Sequence, residues 1–240
     1  MPRAIRLRLF QQMPNFRKPS SFLVRESYYL PPYSTVIGMI HAACGFTEYH
    51  DMRVSVQGVN ASELSDYATM YSFGIKYDSS RHWGRAEDGR GGYDGINRGP
   101  KSCHLLTDLE LLIHIIPSED DFDAVFEGLS MPVSYLSLGR HEDLVRVDEV
   151  KEVNVDSFDP DDEDSLFILK HNAYVPVSDM RKMPGAVSVY RLTKKFSVDA
   201  KTGLRHWDEV VDACFLPKGE TYDSIESLCD RELEIPLSFA

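Results

Sequence analysis

Cationic and aromatic side chains lie close together in a glycine-rich stretch near the middle of the chain. Bases of single-stranded RNA commonly stack on aromatic rings while cations contact the phosphates, so this mixture is typical of RNA binding. The alternative is a surface loop whose aromatic rings pack only against the protein. We favour RNA binding, and the candidate residues in this stretch are Arg81, His82, Trp83, Arg85, Arg98 and Lys101.

A second group of cations lies near the N-terminus. Residues 1–47 contain six Arg and Lys residues and a single acid, although the whole chain has a formal net charge of -12. Residues 142–164 instead carry eleven acids and two basic residues. Because phosphate contacts depend on local charge, the N-terminal region can bind RNA while the acidic stretch points elsewhere. Three cations of the loop after the first strand are the candidates for phosphate contact: Arg17, Lys18 and Arg25.

Two further arginines of the N-terminal region, Arg6 and Arg8, have two interpretations. They lie on the polar face of an alternating segment at residues 3–10, which predicts a strand with one buried face. Asp108 and Glu110 alternate in the same way on a later strand, so the arginines could pair with those carboxylates across a sheet. Ion pairing and RNA contact remain equally open at this point.

Several chemistries find no support in the sequence. The acidic residues 159–164 do not fit a calcium-binding EF-hand loop, because its sixth position is Asp164 and its twelfth is Lys170. Neither a dinucleotide fingerprint nor a nucleotide-binding P-loop occurs. The histidines at positions 50, 82, 104 and 114 lack metal-ligand spacing, so we expect no metal and no cofactor.

Cysteine usage and hydropathy indicate the compartment. The four cysteines are scattered, with no Cys-x-x-Cys pair, which favours reduced thiols over a disulfide framework. The first residues do not resemble a secretory signal, and no apolar run approaches the length of a membrane span. We therefore expect a cytoplasmic protein with no membrane partner.

The pattern of elements predicts an α+β fold. A strand at residues 3–10 precedes a helix at 34–44, capped by Ser34 and ending before Gly45. Strands at 54–59 and 67–77, a strong strand at 105–116, a helix at 120–129 and a strand at 145–155 follow. This order is the split βαβ arrangement of ferredoxin-like domains, which is also the fold of the common RNA-recognition module. Seven residues should form its core: Leu7, Leu9, Ile37, Ile40, Leu109, Leu111 and Ile113.

The predicted domain organisation has three parts. Residues 1–156 form an RNA-binding palm, 157–164 an acidic linker, and 165–240 a smaller β-rich subdomain with strand-like runs at 186–192 and 210–216. Residues 78–103 interrupt the palm, because their glycines are expected to prevent regular structure. Such a long irregular stretch inside a compact domain is usually functional or mobile.

Several motifs together resemble a known protein family. They are residues 8–11 (RLFQ), 16–19 (FRKP), 25–38 (RESYYLPPYSTVIG) and 137–143 (SLGRHED). These segments resemble the fifth CRISPR-associated (Cas) protein family, and with Gln57-Gly58 and residues 109–117 they are most similar to its type I-B branch. The resemblance covers most of residues 1–155 and is weak beyond them.

The resemblance implies a non-catalytic subunit of the RAMP superfamily, with a ferredoxin-like palm and a protruding thumb. Such proteins cap one end of the Cascade surveillance complex, where they bind the 5′ handle of the crRNA. They contact the backbone subunit and the large subunit, and through the complex they act indirectly on target DNA. Residues 78–103 would be a flexible thumb, and Arg140 and His141 would lie near the handle.

The type I-C branch of the same family implies an enzymatic alternative. Members of that branch cleave the crRNA precursor without metal, using Tyr, Lys and His side chains. This chain has Tyr28, Tyr29 and Tyr33 and the pair Lys170-His171, but these residue types are common and the pair lies where the resemblance is weak. We therefore prefer the binding role. A scaffold without RNA contact is a third reading, which the basic N-terminal region disfavours.

Overall fold

A computed structural model describes residues 2–21, 24–157, 167–181, 185–222 and 228–240 of the chain. The elements carrying the palm are β1 (Arg3–Gln11), α1 (Tyr33–Cys44), β5 (Met52–Val59), β9 (Leu109–Pro117), α2 (Phe122–Ser130) and β10 (Arg146–Ser157). Short strands β2 (Phe16–Arg17), β3 (Val24–Arg25) and β4 (Ser27–Tyr28) lie between β1 and α1. The predicted thumb at residues 78–103 lies within a larger unit of three strands, to which we give the name thumb from here on: β6 (Ser62–Lys76), β7 (Gly84–Glu87) and β8 (Tyr93–Thr107). The remaining strands are β11 (Phe167–Ile168), β12 (Asn172–Pro176), β13 (Ser188–Val198), β14 (Arg205–Leu216), β15 (Thr221–Tyr222), β16 (Leu228–Asp230) and β17 (Ile235–Leu237).

A nine-stranded sheet organises the molecule, so the fold is mostly β with few helices. Its strand order is β13-β14-β12-β5-β9-β1-β10-β16-β17, and all of its described pairings are antiparallel. Leu7 of β1 lies opposite Ile113 of β9, so the predicted pairing of residues 3–10 with 105–116 is confirmed. All seven predicted core residues are buried. Full burial of a leucine or isoleucine side chain stabilises a fold by roughly 1.5–3 kcal/mol.

The two α-helices pack together against one face of this sheet. Helix α1 ends as predicted, with Gly45 in the left-handed conformation at φ 70°. The predicted Ser34 cap is wrong, because the helix begins at Tyr33 after Pro32 and has no side-chain cap. Ser34 Oγ instead lies 2.6 Å from Thr193 Oγ1, which ties the helix to β13.

The opposite face of the sheet is only partly covered. The C-terminal segment packs Ile235, Leu237 and Phe239 over an apolar patch that includes Leu112 and Val153. Further along β1 and β9, the side chains of Arg8 and Glu110 remain exposed. The covered half of this face adds to the core, while the other half faces solvent.

The thumb is a twisted β-hairpin, and the expectation of irregular structure at residues 78–103 is wrong. Strands β6 and β8 pair along most of their length, and β7 pairs with the far end of β8. Glycines are compatible with this hairpin because two of them, Gly89 and Gly91, form the turn at positive φ. Gly95 has a different reason, since a Cβ there would lie 2.3 Å from Cδ2 of His82. The backbone hydrogen bonds between the strands give residues 78–103 a regular structure that the glycine-rich composition does not indicate.

The strands after residue 166 extend the palm sheet. Strand β12 pairs with β5 on one side, and β16 pairs with β10 on the other. The strand-like runs predicted at 186–192 and 210–216 fall largely within β13 and β14. The linker predicted at 157–164 lies almost wholly outside the described residues, so the domain boundary there stays a prediction. Within the described part of the chain, no helix is both long and apolar enough to span a membrane.

Candidate nucleic-acid interface

Cations from two distant parts of the sequence meet where the thumb leaves the palm. Strand β3 pairs in parallel with β8, which sets Arg25 opposite Cys103. The guanidinium of Arg25 lies 3.4 Å from the Met70 sulfur, and Lys101 Nζ lies 3.2 Å from the same atom. The two cations therefore share one soft, uncharged neighbour. We call Arg17, Arg25 and Lys101 the junction cluster.

The positive charges of the junction cluster are close enough to repel one another. The pKa of Lys101 is lowered by partial removal from water and then by the nearby charges of Arg25 and Arg17. Within the described residues, neither Arg25 nor Lys101 forms an ion pair with a carboxylate. Arg25 Nε is buried and has no hydrogen-bond partner among those residues. Buried donors normally find an acceptor, so the cluster is suited to an anionic ligand such as a phosphate.

The other face of the thumb presents aromatic rings. Residues of β6 alternate, so Tyr67 and Tyr71 point away from Met70, and Tyr67 is 73% exposed. Trp83 packs edge-on to Tyr71 at 6.3 Å, and the Arg98 guanidinium lies 4.2 Å from the centre of the Trp83 ring. This face offers flat, exposed surfaces on which bases could stack.

Near the tip of the thumb, the remaining predicted residues are held by local contacts. Arg85 stacks over Tyr93 at 4.2 Å from the ring centre. His82 Nδ1 accepts a hydrogen bond from the Asp78 amide at 2.9 Å, and Arg81 lies exposed in the same turn. The structure thus separates the thumb candidates, with Lys101 in the junction cluster and the others on or near the aromatic side chains of the outer thumb.

Arg140 has an intramolecular partner that the sequence did not reveal. It binds the carboxylate of Asp143 through Nε at 2.9 Å and Nη2 at 2.5 Å, and its pKa is raised by this contact. Asp143 is buried and also accepts a hydrogen bond from the Asn15 amide. Gly139 adopts φ 102° at the start of this turn. Arg140 therefore fixes the loop, whereas His141 is exposed beside Glu142.

The N-terminal cations are not equivalent. Lys18 lies 3.6 Å from Glu26, so part of its charge is balanced. Arg6 is buried and pairs with Glu149 and Asp230, which supports ion pairing over RNA contact. The predicted partners, Asp108 and Glu110, were wrong. The carboxylates that contact Arg6 come from β10 and from the C-terminal segment. Arg8 is half-exposed, with Glu149 at 3.7 Å.

A groove beside the thumb base contains side chains that sequence reasoning missed. His104 Nε2 lies 2.8 Å from Glu63 Oε2, and Tyr29 shares the same groove with Lys18. Alternation along β6 and β8 could have placed Glu63 and His104 on one face, as it could have placed Tyr67 and Tyr71. Glu63 and His104 lie outside the predicted strands at 67–77 and 105–116, so their shared face was not recognised.

The nuclease residues considered from the sequence do not share a site. Tyr33 is fully buried in the core, and burial raises its pKa. Tyr28 is also buried and packs against Tyr190, whereas His171 lines a different groove on the sheet face. No group of three or more potential metal ligands occurs within the described part of the chain.

Comparison with known proteins adds the following. A family described as CRISPR-associated protein (Cas_Cas5) matches residues 4–208. A chain of a "CRISPR RNA-guided surveillance complex" superposes with a TM-score of 0.51 at 19% identity, covering 91% of each chain. A "CRISPR protein from Archaeoglobus fulgidus" superposes with a TM-score of 0.52 at 10% identity, covering 98% of each chain. At such identities the two structures are similar in fold. No curated protein matches the chain.

Proposed function

Because the chain belongs to the CRISPR-associated protein (Cas_Cas5) family over residues 4–208, we propose that it is a non-catalytic crRNA-binding subunit of a CRISPR surveillance complex. The observation that carries this proposal is the junction cluster. Cations at the thumb base, without carboxylate partners for Arg25 and Lys101, are suited to the phosphates of an RNA strand.

We further propose the finer assignments that the motifs imply. The complex is a type I-B Cascade in the cytoplasm, and this subunit caps the 5′ handle of the crRNA. It contacts the backbone and large subunits, and target DNA indirectly. The central strands β10-β1-β9-β5 with α1 and α2 would form a ferredoxin-like RAMP palm, which is supported by their order and antiparallel pairing.

On this proposal the thumb binds RNA in two ways. The junction cluster contacts phosphates, and the face with Tyr67, Tyr71 and Trp83 stacks on bases or on a neighbouring subunit. Arg98 is already ordered over Trp83, so it can contribute a charge without a large loss of side-chain entropy. Arg140 positions the adjacent loop, while His141 is free of the core and able to contact the handle.

The test is the salt dependence of binding to a labelled repeat-derived RNA. The double variant Arg25→Ala and Lys101→Ala should bind more weakly. The slope of log affinity against log salt should also decrease by about 0.7 for each lost phosphate contact with a single strand. Arg205→Ala is the matched control, because Arg205 is exposed on β14, which pairs with no thumb strand. If the double variant keeps the affinity and slope of the parent, the junction cluster does not bind RNA.

A second candidate function is metal-independent cleavage of precursor crRNA. Two observations favour it. The family that matches residues 4–208 is the Cas5d family, which is the type I-C branch, and Lys18, Tyr29 and His104 line one groove with Glu63 close to His104. RNA cleavage of this kind needs a base near the 2′-hydroxyl and an acid near the leaving oxygen.

Incubation of the purified chain with labelled repeat RNA in EDTA distinguishes the two functions. The binding role predicts intact RNA. Cleavage at the handle boundary that is lost in His104→Ala would assign the groove as an active site. Loss in His171→Ala or Tyr28→Phe would instead assign cleavage to residues considered from the sequence.

A further inference from the structure

A second candidate ligand site lies on the uncovered half of the sheet face, away from the two α-helices. It is a groove lined by the outward side chains of β1 and β9, by the start of β10 and by the turn before β12. The lining includes Arg8, Glu110, Arg146, Asp148 and His171, with Leu112 among the apolar members. Neither the sequence motifs nor the junction cluster accounts for it.

Arg146 is fixed as a flat surface at one side of the groove. Its guanidinium lies 4.5 Å from the centre of the Phe10 ring. The carboxylate of Asp148 binds it through Nε at 2.6 Å and Nη2 at 3.0 Å. The guanidinium is therefore held by contacts with Phe10 and Asp148, while the side chain as a whole remains 65% exposed. Ordered guanidinium planes of this kind are surfaces on which RNA bases stack.

Arg8 supplies a charge that its surroundings only partly neutralise. It is half-exposed, and its nearest carboxylate, Glu149, lies 3.7 Å away while also binding Arg6 at 2.6 Å. Glu149 therefore interacts more strongly with the buried Arg6 than with Arg8. Arg8 is left able to contact a phosphate at the groove without breaking a short ion pair.

His171 contributes its imidazole ring to the lining of the groove. Its Nδ1 is buried, and no partner for it occurs among the described residues. Its pKa is lowered by burial and then by the nearby charges of Arg8, Lys218 and Lys170, while the charge of Glu110 acts in the opposite direction. The ring is therefore neutral near pH 7, so it can donate or accept one hydrogen bond beside a positively charged rim.

We propose that this groove, which we call the sheet-face groove, binds one nucleotide unit. The base stacks on Arg146, the edge of the base hydrogen-bonds to His171, and the phosphate contacts Arg8. The inference rests on the proposed RNA-binding function and extends it to a second place on the palm. Sheet-face aromatics and arginines of ferredoxin-like RNA-binding domains provide the physical precedent, because strands hold such groups in fixed register.

The path of the chain connects the sheet-face groove with the thumb base. Strand β1 ends at Gln11. The residues that follow it bond to the base of the thumb, where β8 ends, because the backbone N–H of Leu106 donates to Pro14 O and that of Asp108 donates to Gln12 O. An RNA strand held by the junction cluster could therefore continue towards the groove along this edge.

The first experiment uses the full chain and single-stranded RNA octamers. Each octamer consists of one base type except at one position, which carries a photoreactive 4-thiouridine. Crosslinked peptides are identified by mass spectrometry. We expect adducts on peptides that contain Phe10, Arg146 or His171.

The second experiment is a binding titration of the parent with the octamers, with AMP and with inorganic phosphate. Arg8→Ala should weaken octamer binding by about tenfold, the effect of losing one charge-assisted hydrogen bond, and His171→Ala by about fivefold, the effect of losing one neutral hydrogen bond. Arg205→Ala should not.

The outcomes separate this inference from the proposed function. Octamer binding that depends on the junction cluster but not on Arg8 or His171, with no adduct in the groove, overturns the sheet-face site and leaves the proposed function intact. Binding of AMP that depends on Arg8 and His171, without octamer binding, supports a nucleotide site for a free ligand and counts against the proposed function. Binding of neither probe overturns both, and binding of phosphate alone overturns the base contact. Circular dichroism of each variant shows whether the fold is retained.

Discussion

The guanidinium of Arg6 lies 2.8 Å from the carboxylate of Asp230, and the two side chains are 2% and 1% exposed. The contact joins the central strand β1 to β16 in the C-terminal segment. His114 Nε2 of β9 donates a hydrogen bond to the same Asp230 oxygen at 3.0 Å. Three parts of the chain far apart in sequence thus meet at one buried charge, which fixes the C-terminal segment on the sheet face.

Replacement of Asp230 by asparagine should strongly destabilise the fold. The change removes the one buried carboxylate beside Arg6 among the described residues and leaves the partly exposed Glu149 and Glu232 as its partners. Loss of one partner of a buried pair costs about 3–5 kcal/mol. Urea unfolding followed by circular dichroism measures the difference. Arg231→Gln is the control, because its contact with Asp156 is exposed and long at 3.7 Å, and such pairs contribute about 0–1 kcal/mol. Equal stabilities of the two variants would contradict this account.

The contribution of Asp230 to stability should depend on pH in a defined direction. Burial raises the pKa of Asp230, but hydrogen bonds from His114 and Arg6 outweigh it, so the net pKa is well below its usual value. A carboxylate with a lowered pKa contributes stability above its unfolded pKa of about 3.9, and that contribution is lost as pH falls through the folded pKa. The stability difference between the parent and Asp230→Asn should therefore be constant from pH 8 to 5 and shrink below pH 4. A difference that grows on acidification would show that Asp230 is not stabilised as an anion.

Two glycines of β8 offer a matched test of the thumb. An alanine Cβ at Gly95 would lie 2.3 Å from the His82 ring, whereas at Gly99 it would meet nothing within 4 Å. Gly95→Ala should therefore displace His82 and the neighbouring Trp83, which changes tryptophan fluorescence and weakens RNA binding. Gly99→Ala should leave both unchanged. Similar behaviour of the two variants would mean that the close packing at Gly95 does not organise the thumb.

The arginines of the outer thumb should contribute to assembly with crRNA. Replacement of Arg81, Arg85 and Arg98 by alanine is expected to weaken co-purification of crRNA and the backbone subunit and to flatten its salt dependence, because fewer counterions are released. The palm should remain folded, since the thumb adds little to the core. Circular dichroism checks the fold. Assembly of the triple variant like the parent at every salt concentration would assign the outer thumb to a surface role.

Local patterns predicted the central strand pair and the core residues well because each one states which face of an element is buried. Alternation at residues 3–10 and the apolar run at 105–116 gave the central strand pair, and the positions of Leu7 and Ile113 follow from it. The regular structure of residues 78–103 was missed for a physical reason, although the strand at 67–77 was predicted. Their order comes from backbone hydrogen bonds between β6 and β8, which leave no apolar periodicity, and their glycines occupy turns and a close contact.

The candidate site was predictable in residue type but not in pairing. Arg17, Arg25 and Lys101 were named from charge alone, yet only the parallel pairing of β3 with β8 brings the last two together. Arg140 was named because the family resemblance places its loop near the handle, but a buried Asp143 three residues away binds it. The distance between two residues in the sequence does not indicate which carboxylate contacts which cation in the fold. The partners of Arg6 and the residues of the sheet-face groove therefore could not be predicted.

The most direct test of the central claim is a ribonuclease footprint of a complete crRNA bound to the purified chain. The RNA carries the repeat-derived handle at its 5′ end and a spacer of arbitrary sequence. A subunit that grips one end of the guide predicts protection confined to the 5′ handle, unchanged when the spacer sequence is replaced and reduced in the Arg25→Ala, Lys101→Ala variant. Protection spread along the spacer, protection at the 3′ end, or no protection at concentrations that saturate binding would contradict the account.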